Sequence, residues 1–204
     1  DKLVAVVELK GVIMNSKDVV AELYRQARND KVKGIVLRID SPGGSVGPAQ
    51  DINSAVKKLR EQKPIVVSMG GVAASGGLYA ALNASKIFCQ PGTLTGSIGV
   101  IMQIPNVTEL SQKIGVDLVT IKSGRLKDAG NMFRPMTEEE RRYLEDTVAE
   151  VRSEFVNAVV EGRGLERAKV EALADGRVLT GAKAVEAGLV DQLGDVYDAA
   201  REVF

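Results

Sequence analysis

The chain has 204 residues, of which 45% are hydrophobic and 26% charged, so it can bury the core of one sizeable domain. Its 27 basic and 27 acidic residues cancel and only 4% of residues are aromatic, which argues against a nucleic-acid partner. There is no histidine and one cysteine, Cys89, which excludes Ser-His-Asp and Cys-His catalysis, His-ligated metals and an internal disulfide. We expect neither a metal nor a cofactor.

The first half of the chain alternates apolar strands with amphipathic helices. Strands are predicted at residues 2–9, 32–40 and 64–69. Their near-continuous apolar runs are typical of a sheet that is covered on both faces. Ser16 is expected to cap one helix and Pro48 to begin another. A turn at Gly70–Gly71 and a second turn at Ser75 then lead into a helix at 78–82.

The second half is predicted to contain shorter strands and one long helix. Strands are predicted at 86–89 and 116–122, and a helix at 108–114. Thr137 and Glu140 have the spacing of a capping box, which starts an amphipathic helix that runs to Val160 and ends at Gly162 and Gly164. Residues 165–204 are predicted to form short helices around Val178–Leu179.

Alternating strands and helices of this kind predict an α/β fold built on a mostly parallel sheet. No internal repeat or linker is visible, so a single domain over residues 1–204 is expected. Ligands of such sheets bind at the carboxyl ends of the strands. Both Asp40–Gly44 and Gly70–Ser75 follow predicted strands, so they are expected to be neighbours in space.

Ser75 lies at a tight strand-to-helix turn between small residues, the setting of an exposed nucleophile. By itself, a Gly/Ala-rich stretch of this kind is more often a packing turn. Without histidine, a serine nucleophile requires another base, and lysine is an established alternative. Free lysine titrates near ~10.4, and burial can lower its pKa toward the ~7 to 8 that a general base needs.

Lys127 is the lysine that differs from the others, because it lies in a loop between the strand predicted at 116–122 and the capped helix. Taken alone, a lysine in such a position is more often a solvated loop lysine. Ser54 and Lys57 also have an S-x-x-K spacing. They lie within an ordinary amphipathic helix and lack the companion motifs of penicillin-binding enzymes, so we give them no catalytic role.

Five ordered motifs extend this pattern over almost the whole chain. They are Asp40–Gly44 (DSPGG), Ala73–Gly77 (AASGG), Thr95–Gly99 (TGSIG), Ser123–Gly130 (SGRLKDAG) and Phe133–Arg141 (FRPMTEEER). Together they closely resemble the signal peptide peptidase A family of Ser-Lys serine peptidases. The stretch Gly181–Asp191 resembles the closing segment that Clp protease and crotonase relatives share.

The resemblance implies a role for individual residues. Ser75 corresponds to the nucleophile, Lys127 to the general base, and Ser97 to the serine that orients the lysine. Gly44 corresponds to an oxyanion-hole donor, and the amide of Gly76 is a plausible second donor. Where family members often have Gly-Ser-Pro after the lysine, this chain has Gly-Asn-Met at 130–132, a departure that affects the local loop and leaves the dyad in place.

The resemblance further implies the Clp protease/crotonase-like fold, with helices on both faces of the sheet, and assembly into homo-oligomeric rings or domes. Ser75 and Lys127 are then expected to meet at or near a subunit boundary. It also implies an N-terminal membrane anchor, with the catalytic domain outside the cytoplasm. No apolar run here reaches the ~18 to 20 residues of a membrane span, so the chain is expected to be a soluble part without that anchor.

The substrates that the resemblance implies are signal peptides left after protein export, and other short apolar peptides. The small apolar residues Val72, Ala73 and Ala74 are expected to shape pockets for small or aliphatic side chains, with the peptide bound as an added strand. Two alternatives stay open at this point. One is a crotonase-type acyl-CoA enzyme, although no Glu that could lie over such a substrate stands out beside the glycine loops, and the other is a scaffold that binds peptides without cleaving them.

Overall fold

The computed structural model describes residues 1–204, and the chain divides into two units. The first unit consists of residues 1–99 and 155–204, and the second of residues 100–154. The single domain expected over 1–204 stays a prediction.

The first unit is built on a parallel sheet with the order β1-β2-β3-β4-β7. The strands of the chain are β1 (Leu3–Lys10), β2 (Val32–Ser41), β3 (Ile65–Ala73), β4 (Lys86–Cys89), β5 (Leu94–Gly96), β6 (Val178–Thr180) and β7 (Gln192–Leu193). The short strand β5 pairs with β3 in parallel and with β6 in antiparallel orientation. The predicted α/β class with a mostly parallel sheet is confirmed.

The helices are α1 (Lys17–Arg28), α2 (Val46–Leu59), α3 (Gly76–Ala81), α4 (Thr108–Lys113), α5 (Glu138–Arg163), α6 (Arg167–Leu173), α7 (Gly181–Glu186) and α8 (Val196–Glu202). None of them combines the length and the apolar composition needed to cross a lipid bilayer.

Successive side chains of a strand point to opposite faces of the sheet, and here both faces are covered. On one face, Ile35 and Leu37 of β2 pack in the main core with helices that include α1 and α2. On the other face, Val36 packs in a smaller cluster with Ala199 and Val203, at the C-terminal end of the chain. This double burial explains why the strands are almost continuously apolar.

The starts of the first two helices differ in detail from the prediction. The hydroxyl of Ser16 accepts no amide of α1, so it does not cap the helix, and it donates a hydrogen bond to the carboxylate of Asp51 at 2.8 Å instead. Helix α2 begins at Val46, so Pro48 lies within its first turn and does not begin it. Proline is tolerated there because the first amides of a helix have no intrahelical acceptor.

Gly70 and Gly71 do not form the predicted turn. Both lie inside β3, which continues to Ala73. The partner strand β2 supplies the pairing that local sequence could not reveal: Ile39 is opposite Met69, and Ser41 is opposite Ala73.

In the second unit, Thr137 is confirmed as the cap of α5, but the reciprocal bond of a full capping box, from the backbone amide of Thr137 to the Glu140 carboxylate, is not formed. The hydroxyl of Thr137 accepts the amide N–H of Glu140 at 3.2 Å and donates to its carboxylate at 3.0 Å. The strand predicted at 116–122 is wrong, since these residues pair with no other strand. Val119 is 79% exposed and Ile121 is 96% exposed. A β-rich composition forms a strand only where a neighbouring strand supplies hydrogen bonds.

Candidate active site

Ser75 occupies the turn between β3 and α3, as the sequence predicted. Its backbone has φ 54° and ψ −120°, a strained conformation for a residue that has a side chain. The amide of Ser75 donates to the carbonyl oxygen of Gly96 at 2.9 Å, and its carbonyl oxygen accepts the amide of Tyr79 at 2.9 Å. These bonds fix a sharp turn that leaves the serine side chain half-buried, as a nucleophile that must meet a substrate requires.

The loop after β2 lies directly against this turn. A methyl group added to Gly43, where φ is 106°, would lie 2.8 Å from the amide nitrogen of Gly76 and 3.0 Å from Cβ of Ser75. Only glycine permits an approach of this kind at a positive φ. The predicted proximity of the two loops at the carboxyl ends of β2 and β3 is therefore confirmed.

Two backbone amides near Ser75 have no hydrogen-bond acceptor. The amide of Gly43 donates to the hydroxyl oxygen of Ser41 at 3.2 Å, but those of Gly44 and Gly76 have no acceptor in the first unit. The Gly44 backbone is fixed by Ile13, whose amide donates to the Gly43 carbonyl at 2.9 Å and whose carbonyl accepts the Ser45 amide at 2.8 Å. Unpaired, rigidly held amides are the groups that stabilise a developing oxyanion.

Ser97 lies on the other side of Ser75 and also has a positive φ, of 52°. The Ser75 amide bonds to the carbonyl of Gly96, the residue directly before Ser97, so the two serines lie on neighbouring backbone segments. The amide of Ser97 donates to the carbonyl oxygen of Arg177 at 2.8 Å. The hydroxyl of Ser97 makes no hydrogen bond within the first unit, which leaves it free for another group.

Two buried threonines secure this segment to β3, and sequence analysis did not single out either side chain. Thr95 donates to the carbonyl oxygen of Ala73 at 2.6 Å, and Thr93 donates to that of Gly70 at 2.9 Å. The only feature of the sequence that could have indicated their role is their position, since Thr95 begins the motif Thr95–Gly99 and Thr93 lies two residues before it.

The three residues predicted to contact substrate are placed differently from one another. Val72 is partly exposed, whereas Ala73 is fully buried in the core and Ala74 is 6% exposed. The side chains of the two alanines are therefore packed inside the protein, and of the three residues only Val72 has surface that a substrate could contact. Their role in substrate binding stays a prediction.

Lys127 lies in the second unit, in a loop where its amide donates to the carbonyl oxygen of Gly124 at 3.1 Å. Its side chain is exposed, and its ammonium group makes no hydrogen bond or ion pair with other side chains of that unit. The pairing of Lys127 with Ser75 stays a prediction.

The residue after Lys127 belongs to a charged network that fixes this loop. Arg134 donates to the Asp128 carboxylate at 3.1 Å and forms a 2.8 Å ion pair with Glu140, while Lys122 contacts Asp128 at 2.7 Å. The hydrogen bond from Arg134, followed by that from Lys122, lowers the pKa of Asp128. Arg134 likewise lowers the pKa of the buried Glu140. The motif 133–141 was recognised in the sequence, but the bridging role of Arg134 was not.

The sequence of the chain is similar to those of known peptidases. The model of peptidase family S49 matches residues 57–203, and that of Clp protease matches residues 7–95. A protein of Synechocystis sp. named as a protease is 39% identical over 199 residues, which cover 97% of this chain and 72% of the relative. A protein of Enterococcus faecium named as signal peptide peptidase SppA is 38% identical over 186 residues, or 91% of this chain and 54% of the relative.

A solved structure extends the comparison to the fold. A mutant of ClpP1 from Listeria monocytogenes superposes with a TM-score of 0.64 at 18% sequence identity, covering 96% of this chain and 94% of that chain. At this identity the likeness shows the fold alone, which is that of Clp protease. The S49 match spans most of the sequence and includes the turn that carries Ser75, and the chain therefore belongs to peptidase family S49.

Proposed function

We propose that this chain is a serine endopeptidase whose nucleophile is Ser75 and whose general base is Lys127. The observation that carries the proposal is the strained Ser75 turn, with φ 54°, in contact with a loop that leaves the amides of Gly44 and Gly76 unpaired. A chain without histidine cannot supply the usual base, and lysine is the alternative that the family resemblance assigns.

In the proposed reaction, Oγ of Ser75 attacks the carbonyl carbon of the scissile peptide bond, and its proton passes to Nζ of Lys127. The tetrahedral oxyanion accepts hydrogen bonds from the amides of Gly44 and Gly76. Lys127 then gives the proton to the leaving amine, which releases the first product and leaves an acyl-enzyme. Water, deprotonated by the same lysine, attacks the ester carbonyl, and the lysine then gives the proton to the departing Oγ of Ser75 as the acid product is released. Ser97 orients Lys127 through its free hydroxyl.

We propose released signal peptides and other short apolar peptides as the substrates, bound as an added strand. Support comes from the family and from the apolar, partly exposed Val72 beside the nucleophile. We further propose a homo-oligomeric ring that acts at a membrane on the extracytoplasmic side. The chain spans 72% and 54% of the two relatives described above, so these statements concern a protein whose relatives are longer.

A fluorophosphonate probe tests the nucleophile directly, because it forms a covalent bond only with an activated serine. We expect the probe to label the wild-type chain at Ser75, as located by peptide mass mapping, and to leave Ser75→Ala unlabelled. Ser54→Ala is the matched control, since Ser54 is exposed on α2 and has a lysine three residues later. Absence of labelling in the wild type, or equal labelling of Ser75→Ala, contradicts the proposal.

A further inference from the structure

The strand that leads to Ser75 contains a bulge. Between the pairs Ile39–Met69 and Ser41–Ala73, β2 advances by two residues while β3 advances by four, so β3 carries two extra residues. Gly70, Gly71 and Val72 lie in this interval. A bulge interrupts the ladder of backbone hydrogen bonds and redirects the strand, so its amides require other acceptors.

The side chain of Asp40 supplies one of these acceptors. Its carboxylate accepts the amide N–H of Val72 at 3.2 Å. A methyl group added to Gly70 would lie 3.1 Å from Cγ of Asp40, so the first residue of the bulge has no side chain where the carboxylate fits. Arg38, two residues earlier on the same face, donates to the carbonyl oxygen of Met69 at 3.2 Å and fixes the residue before the bulge.

The next residue, Ser41, connects the same strand end to both sides of the site. Its carbonyl oxygen accepts the Ala74 amide at 3.1 Å, and its hydroxyl oxygen accepts the Gly43 amide at 3.2 Å. Ser41 is fully buried, so neither bond is exposed to competition from bulk water. The dipeptide Asp40–Ser41 therefore bonds to the segment before Ser75 at two points and to the glycine loop at one.

We propose that Asp40 is a positioning residue, which holds the β3 bulge so that Ser75 faces the amides of Gly44 and Gly76. This inference rests on the proposed function of that site. Asp40 acts here as a hydrogen-bond acceptor at a fixed place, and its negative charge is not the property that matters. Loss of the bond releases Val72 and moves the nucleophile relative to the oxyanion donors, which slows acylation without removing a substrate contact.

Two conservative variants separate the position of the acceptor from its charge. Asp40→Asn keeps an oxygen in the same place without the charge, whereas Asp40→Glu keeps the charge but moves the oxygen outward against Gly70. We expect Asp40→Asn to retain kcat close to that of the wild type. We expect Asp40→Glu and Asp40→Ala to lower kcat by about 10- to 100-fold with little change in KM, since a displacement of about 1 Å has an effect of that order.

Glu8→Ala is the matched control, because Glu8 is exposed and lies opposite Arg38 in the neighbouring strand β1. It is expected to behave as the wild type. Hydrogen exchange of the Val72 amide gives a readout that does not depend on activity. The amide should be protected in the wild type and in Asp40→Asn, and should exchange faster in Asp40→Glu.

The outcomes distinguish this inference from the proposed function. If the wild type is not labelled by a fluorophosphonate at Ser75, both are overturned. If the wild type is labelled but Asp40→Asn loses as much activity as Asp40→Glu, charge matters and the positioning role is wrong. A wild-type kcat in Asp40→Glu with unchanged Val72 exchange overturns it as well.

Discussion

Ser75 has a backbone conformation that serine seldom adopts, and the turn around it is closely packed. Gly77, two residues later, has no space for a side chain: a methyl group there would lie 2.7 Å from the carbonyl oxygen of Ser41. The absence of a side chain at Gly77 is therefore required by its contact with the end of β2, so the packing of the turn and the catalytic proposal depend on the same motif.

A graded series of substitutions tests the proposed roles. We expect Ser75→Ala and Lys127→Ala each to lower peptide cleavage by about 10⁴-fold or more, because each removes a group that takes part in bond formation. Ser97→Ala should reduce cleavage less than Lys127→Ala, since it removes an orienting hydroxyl and leaves the base in place. Turnover of an apolar fluorogenic peptide measures all three, and Ser54→Ala and Lys57→Ala serve as controls. Near wild-type turnover in either of the first two variants contradicts the dyad.

Gly77→Ala tests the close contact itself. The added methyl group has to displace the Ser41 carbonyl, so we expect a loss of about 1 to 3 kcal/mol in the free energy of unfolding. Gly47→Ala in α2 is the control, because a methyl group at Gly47 meets no atom within 4 Å. Denaturant unfolding of the two variants gives the comparison. Equal stability of the two proteins shows that the turn can relax around a side chain.

Helix α5 begins in the second unit at a charged network that also fixes the loop of Lys127. Thr137 caps the helix, and Arg134 connects its Glu140 to Asp128, the neighbour of the proposed base. The start of α5 is set locally by the Thr137 cap, and Arg134 also connects this start to the loop of Lys127. The order of this loop depends on ionised carboxylates, which makes it sensitive to acid.

We expect Arg134→Ala to lower the stability of the chain more than Arg25→Ala, which removes only an exposed pair with Glu22 on α1. Arg134 lowers the pKa of both Asp128 and Glu140 in the folded chain. The stabilisation by Arg134 is therefore complete at pH values above the pKa values that the two carboxyls have in the unfolded chain, near about 4. It is lost as the pH falls through their lower pKa values in the folded chain. Thermal unfolding of wild type and variant should converge in acid. A difference that stays constant from pH 7 to pH 2 contradicts this linkage.

At the scale of the whole molecule, the second unit exposes nine large apolar side chains. Large apolar side chains with at least two-fifths of their surface exposed there are Ile101, Met102, Leu110, Ile114, Val116, Leu118, Val119, Ile121 and Tyr143. The proposed ring would cover surface of this kind. It would also allow Lys127 of one subunit to serve Ser75 of another.

Mixing two inactive proteins tests whether the dyad is shared between subunits. If Ser75→Ala and Lys127→Ala exchange subunits, some sites combine an intact serine with an intact lysine, and we expect part of the activity to return. The measurement is peptide turnover before and after exchange, with exchange itself followed by energy transfer between labelled subunits. Exchange without recovery contradicts a shared dyad, and a monomer with full activity contradicts the ring.

The sequence by itself determined the features that depend on neighbouring residues and on burial. The double-sided apolar pattern of residues 32–40 predicted β2, because a strand covered on both faces has few polar positions. The spacing of Thr137 and Glu140 predicted the start of α5, because a cap needs only one turn of chain. The five ordered motifs, of which the Ser75 turn is one, indicated the family together, since the residues of each motif are adjacent in sequence.

The tertiary structure decided what depends on distant partners. Gly70 and Gly71 were predicted as a turn, but they lie inside β3 because the flanking residues Met69 and Ala73 pair with β2. Residues 116–122 were predicted as a strand but have no partner strand. The positive φ of Ser75 and the hydrogen bond from Val72 to Asp40 likewise depend on contacts between segments some 30 residues apart. Backbone hydrogen bonds between strands have no signature in local sequence, because any residue except proline can donate them.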